Sequence, residues 1–93
     1  MVRSAPDLSR DVRITNELGL HARAAAKIAK TVQKATAGVW ITKNGDRVDA
    51  SSVVDILTLY CEKGTRITIS IEDPVDVSIL DAVAEMVEAG FGE

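Results

Sequence analysis

Residues Thr65 to Ile71 alternate almost perfectly, with Ile67, Ile69 and Ile71 on one face. A period of two marks a strand with one buried side. Such a strand cannot stand alone, because its apolar face needs a cover from another layer. The rest of the chain supplies both neighbours and cover. Asp11 to Thr15 alternate as well, with Val12 and Ile14 inward. Val39 and Ile41 alternate with Trp40 and Thr42, and Lys43-Asn44-Gly45-Asp46 then reads as a hairpin turn, since Asn-Gly tolerates the positive φ values of a type I′ turn. Arg47 to Asp49 form the short return strand.

Between these strands the period changes. Ala25, Ile28, Ala29 and Val32 follow the i, i+3, i+4, i+7 spacing of a buried helical stripe. Arg23, Lys27, Lys30 and Lys34 repeat on another face, so a helix of about 12–14 residues is predicted from Ala22. Ser51 and Ser52 are both suited to cap a short helix running to about Leu59. Asp73-Pro74 begins a last helix, whose stripe is Leu80, Val83, Ala84 and Val87 and whose stop is Gly90. The order βαββαβα predicts an α+β fold: an open-faced sandwich with a four-stranded antiparallel sheet and three helices on one face. Residues 1–10 are polar and contain Pro6, and a flexible tail is expected there, with a single domain over 11–92.

Composition removes several functional classes. Ninety-three residues make one domain, and Trp40, Tyr60 and Phe91 are the only aromatics, so the core is aliphatic. A net charge of −3 argues against a nucleic-acid partner, which calls for a basic surplus. The one cysteine, Cys61, can form neither an internal disulfide nor a metal cluster by itself; core packing and a reducing compartment are expected. The opening MVRSAPDLSR lacks the apolar stretch of a signal peptide, and no run is long enough to enter a membrane. A cytoplasmic monomer, without metal or cofactor, is the expectation.

His21 is the only histidine. It falls just before the first helix and just after a glycine turn. The first turn of a helix carries unpaired N–H groups and about half a positive charge, which suits an anion. A phosphoryl group on the imidazole would lie against the amides of Ala22 and Arg23, with the Arg23 guanidinium in reach of its oxygens. On spacing alone, a solvated surface histidine is the commoner case. A metal site has too few soft ligands, and a Ser-His-Asp hydrolase lacks a G-x-S-x-G elbow.

The string Gly19-Leu20-His21-Ala22-Arg23 and the Ala-rich helix after it resemble the active-site signature of the HPr family. These are the histidine phosphocarriers of the phosphoenolpyruvate-dependent sugar phosphotransferase system. The resemblance spans about residues 10–92 and includes the Asn-Gly hairpin, Ser52 thirty-one positions after His21, and Lys63-Gly64-Thr65 leading into an I-T-I-S strand. Asn16-x-Leu18 and Gly90-Phe91 are similar to the nitrogen-related branch of the family. The resemblance implies a carrier, not a turnover enzyme. His21 would accept phosphate on Nδ1 from enzyme I and pass it to an EIIA-type acceptor protein, with Arg23 binding the phosphoryl group. Ser52 matches the serine that an HPr kinase/phosphorylase modifies in some bacteria; its alternative role is plain helix capping. The family usually has proline where this chain has Ala24. A different class, a regulatory binding module whose phosphorylation state signals to kinases, transporters or transcription factors, stays open.

Partner docking is expected at Val53, Val54 and Leu57 of the short helix. Ile56 and Leu59 face the core there, whereas Val54 and Leu57 point away from that pair. Lys27 and Lys30 would steer acidic partners.

Overall fold

The computed structural model describes residues 8–93. Its strands are β1 (Ser9–Arg13), β2 (Val39–Lys43), β3 (Asp46–Asp49) and β4 (Arg66–Ile71), and its helices are α1 (Ala22–Val32), α2 (Val53–Leu57) and α3 (Val77–Glu88). All pairings are antiparallel and the sheet order is β1-β4-β2-β3. The strand with the sharpest alternation, β4, is therefore interior, with Ile69 facing Ile41 on one side and Arg10 on the other. Ile41 in turn lies opposite Val48.

One face of this sheet is dry. Val12, Ile14, Val39, Ile41, Ile67, Ile69 and Ile71 are buried against the helical stripes Ala25-Ile28-Ala29-Val32 and Leu80-Val83-Ala84-Val87. Burial of one such branched side chain contributes about 1.5–3 kcal/mol, and with few aromatics the core is assembled from many of these modest terms. Ala24, Ala25 and Ala29 keep α1 thin on its inner side, so it runs close beside both α2 and α3. The outer sheet face is polar. There the Arg47 guanidinium stacks 4.1 Å from the Trp40 ring centroid, and Trp40 Nε1 donates to Glu72 at 3.0 Å.

Several element boundaries differ from expectation. Ser9 and Arg10 belong to β1, paired with Ser70 and Ile69, although the sequence placed them in a tail. Their polar side chains conceal a backbone that completes the β4 ladder. Residues 1–7 of that expected tail lie outside the described residues. Helix α2 stops at Leu57, and Tyr60 takes a left-handed φ of 51° as the chain leaves the following turn. Of the two candidate caps, Ser52 accepts the Asp55 N–H at 3.2 Å, while Ser51 donates its hydroxyl to Asp49. Asp73-Pro74 opens a 3₁₀ turn ahead of α3 rather than α3 itself.

The Asn44-Gly45 turn has φ values of 50° and 87°, the double positive that the hairpin calls for. Asp76 closes the opposite end of the domain. It is buried, and its carboxylate accepts the N–H groups of Thr36 (2.8 Å) and Ala37 (3.0 Å), tying the α1–β2 loop to the start of α3. Those two bonds, first Thr36 and then Ala37, hold its carboxyl below the ordinary aspartate value of 3.8, against the opposing effect of burial. A depressed native pKa gives stability that is complete above the ordinary value and is lost as pH falls through the depressed one. Asp76→Ala should therefore lower the urea midpoint at neutral pH and make the acid limb of a stability-against-pH curve shallower. An acid limb identical to that of the parent protein would contradict this account.

Candidate functional site

The loop before α1 is built by Gly19. Its φ is +64°, and a Cβ placed there would come within 2.2 Å of the Cys61 carbonyl oxygen. The next residue, Leu20, donates its N–H to that same oxygen at 2.9 Å and buries its side chain. Asn16 braces the loop from within: it is buried, and its Nδ2 donates to Gly19 O at 2.9 Å. Gly19 N–H returns a bond to Asn16 O at 3.2 Å. The chain then enters α1 with His21 as the N-cap residue, at φ −77° and ψ 176°.

That geometry leaves the helix start open. His21 makes no side-chain capping bond, and no acidic residue lies in the first turn. The first intrahelical bond is Ala25 N–H to His21 O at 2.9 Å. The amides of Ala22, Arg23 and Ala24 precede it and have no acceptor within the helix. Proline in place of Ala24 would remove one of these donors. The Ala24 side chain is fully buried, so the substitution leaves the helix start well packed.

The imidazole is 23% exposed, and its Nε2 lies 2.6 Å from Glu93 Oε2. The same oxygen accepts from Arg23 Nη2 at 3.2 Å, and Glu93 Oε1 accepts from Asn16 Nδ2 at 3.3 Å. Glu93 is carried there by a short anchor: Phe91 is buried, with a left-handed φ of 58°, and Lys27 Nζ donates to its carbonyl at 2.9 Å. The Glu93 carboxyl is held below the ordinary carboxylate range, first by the His21 contact and then by Asn16 and Arg23, against partial burial.

The structure thus brings His21, Arg23 and the amides of Ala22 and Arg23 into one spot. Lys27 extends from the same helix but is engaged with Phe91, whereas Lys30 is exposed. The α2 residues divide. Val54 is 71% exposed, while Val53 and Leu57 are half-buried and pack partly on the core. Val53, the first residue of the helix, shares its inner side with Ile56, which accounts for its partial burial. Asn16 and Glu93 were absent from the sequence reading of the site. Glu93 is 72 residues from His21, and no local pattern marks it. Asn16 had a weak signal, a polar residue between a strand and a glycine turn.

The family model described as "PTS HPr component phosphorylation site" matches residues 8–89. The chain belongs to the HPr family. It is 34% identical over 86 residues to the phosphocarrier protein HPr of Neisseria meningitidis, covering 92% of this chain and 97% of that one. It is 37% identical over 87 residues to the phosphocarrier protein NPr of Klebsiella oxytoca, again covering 92% and 97%. In structure it is similar to an HPr of Thermoanaerobacter tengcongensis, with a TM-score of 0.85, 30% identity, and coverage of 91% and 96%. Membership makes it a phosphocarrier of the phosphotransferase system, with proteins of that system as partners. Among the described residues, no helix is long and apolar enough to cross a membrane.

Gly19 offers the sharpest test of the loop. Gly19→Ala combines left-handed strain with a backbone collision, and should cost about 3 kcal/mol or more in urea unfolding. Gly45→Ala, also at positive φ but with nothing within 4 Å of its added Cβ, should cost only about 1–2 kcal/mol. Equal losses at both sites would show that the Cys61 contact is unimportant.

Proposed function

We propose that His21 is the phosphoryl acceptor of this carrier, taking the group on Nδ1 from phospho-enzyme I and passing it to an EIIA-type acceptor protein in the cytoplasm. The observation that supports this is the partly exposed imidazole at the N-cap of α1, beside unpaired first-turn amides and Arg23. In the step itself, the Nδ1 lone pair forms the N–P bond while the donor's bond to phosphorus breaks and its electron pair leaves with the donor. The new dianion faces the amides of Ala22 and Arg23 and the positive end of α1. Arg23 is 65% exposed, so its guanidinium can swing to the phosphoryl oxygens without unpacking the core. The carrier does no bond chemistry beyond this exchange, which is reversible because donor, carrier and acceptor hold the same group in turn. Lys30 and the exposed Val54 are the parts of the predicted docking face that stand open to partners.

Incubation with phosphoenolpyruvate and enzyme I should give a label that is labile in acid and stable in base, as a phosphoimidazole is. His21→Ala should abolish it; persistence of the label in that variant would refute the assignment. Arg23→Ala removes a charge-assisted contact worth about 1.5–3 kcal/mol and should slow transfer about ten- to a hundredfold.

Ser52 is proposed as a regulatory site for an HPr kinase/phosphorylase. In its support, the hydroxyl is only half-buried and sits beside exposed Val54, where an added phosphate would charge the docking surface. ATP with a competent kinase should then give an acid-stable label that Ser52→Ala removes. That variant should also lose about 1 kcal/mol of stability, because Ser52 caps α2. An unlabelled wild-type protein would leave Ser52 with the capping role alone.

A further inference from the structure

We infer that the groove between α1 and α3 is a second docking site, one that takes an acidic amphipathic helix of a partner protein. The inference goes beyond the carrier reading and does not depend on it, since neither His21 nor Arg23 lines the groove. The two helices run antiparallel: Lys27 meets Phe91 at one end, and Thr36 and Ala37 meet Asp76 at the other. Between them lies a cleft of about 340 Å³, with Met86, Ala89 and Phe91 as its apolar lining and Lys27, Lys30 and Thr31 as one rim. No residue of α2 lines it, so it is separate from the surface that Val54 presents.

The apolar part extends along α3. Ile79, Ala82, Met86 and Ala89 recur at spacings of three, four and three, which places them on one helical face. Ile79, Ala82 and Met86 are half-buried and Ala89 is exposed. At a rise of about 1.5 Å per residue the stripe is about 15 Å long, more than a small ligand spans and close to three turns of helix. Both walls of the cleft are helices whose backbone groups are bonded internally, so an extended peptide finds no ladder to join. A helix needs none, and its apolar face can lie along the stripe.

Charge selects the kind of helix. The α1 segment ARAAAKIAKTV contains three cations and no carboxylate, in a chain whose net charge is −3. Among the described residues, neither Lys27 nor Lys30 has an ion-pair partner. Lys27 gives one hydrogen to the Phe91 carbonyl at 2.9 Å and keeps two. The α1 rim is thus a positive edge beside an apolar lining. The other edge has the opposite sign, because exposed Glu85 stands on α3 at the outer side of the stripe. A helix with carboxylates along the flank that faces α1, and none along the flank that faces Glu85, meets complementary charge on the first and avoids repulsion on the second. One orientation in the groove is favoured over its reverse, which gives the surface selectivity.

The test adds a synthetic helical peptide of about 18 residues, or five turns, to the full chain labelled with ¹⁵N. The peptide carries leucines along one face and glutamates along one flank. Amide signals should move in α1 from Lys27 to Thr31 and in α3 from Met86 to Ala89, and those of α2 should stay in place. Lys30→Glu and Ala89→Glu should each weaken binding about tenfold, and Lys30→Gln by less. All three variants should keep the dispersed amide spectrum of the folded chain. Binding should also weaken as salt is raised. Ala89→Glu should still take label from phosphoenolpyruvate and enzyme I at the parent rate, and His21→Ala should still bind the peptide, so failure of the groove and failure of the carrier reading are distinguishable. A peptide with lysines in place of the glutamates that binds equally well, shifts centred on α2, or no binding at millimolar peptide would each overturn the inference. So would the same α1 and α3 shifts on concentrating the protein alone, which would give the groove to a second copy of the chain.

Discussion

The packing of Gly19 against the Cys61 carbonyl is the constraint on which the site depends. Two loops meet there, one leading into α1 and one leading from α2 into β4, and they approach so closely that no side chain fits between them. Leu20 N–H satisfies the Cys61 oxygen that the contact would otherwise bury unpaired. Gly64 N–H to Ile14 O and Ile14 N–H to Thr65 O continue the same seam toward the sheet. The direction in which the chain enters α1 is therefore fixed by the sheet, through backbone bonds. His21 inherits its place from that direction. A cap position held only by its own helix would fray; this one is tied to three other elements.

Buried Cys61 takes part in this arrangement through its backbone, not its sulfur. Burial pushes its thiol above the ordinary value, which makes it a poor nucleophile and a good small core residue. In the proposed function the chemistry of the site is left to the His21 imidazole. The surrounding charges are arranged in a short series: Lys27 on the Phe91 carbonyl, Arg23 and His21 on Glu93, and Asn16 on both Glu93 and the loop. Lys27, Arg23, His21 and Glu93 are exposed or half-buried, while Asn16 and Phe91 are buried and anchor them. Such groups keep their geometry without the large desolvation cost of a fully buried ion pair.

How much of this was legible in the sequence follows from the range of each interaction. Ile67, Ile69 and Ile71, and the stripes of α1 and α3, were readable because burial on a strand or helix repeats with a fixed period. The Asn44-Gly45 turn and the Asp73 and Ser52 caps were readable because they satisfy backbone groups within three residues. His21 and Arg23 were readable for the same local reason, as residues at a helix start. Ser9 and Arg10 were misplaced because their contribution is a backbone ladder to Ser70 and Ile69, to which side-chain polarity is blind. The half-buried state of Val53 and Leu57 was not legible because a five-residue helix is too short for its period to separate inner from outer faces. Glu93 was invisible because its place depends on a left-handed Phe91 and on contacts made only after the whole sheet has closed.

That last difference bears on how a family can vary while keeping one reaction. The helix start and its arginine are local features, and a short string of residues suffices to specify them. The group behind the imidazole is a tertiary feature, reached from a distant segment whose conformation is set by one buried aromatic. Alanine in place of the family's usual proline at position 24 changes the local part, since it adds a donor amide to the first turn of α1. Substitution near Gly90–Gly92 changes the tertiary part without touching the signature string. The two parts meet at the His21 ring, and a chain can vary the contact behind that ring while the helix start and its arginine stay the same.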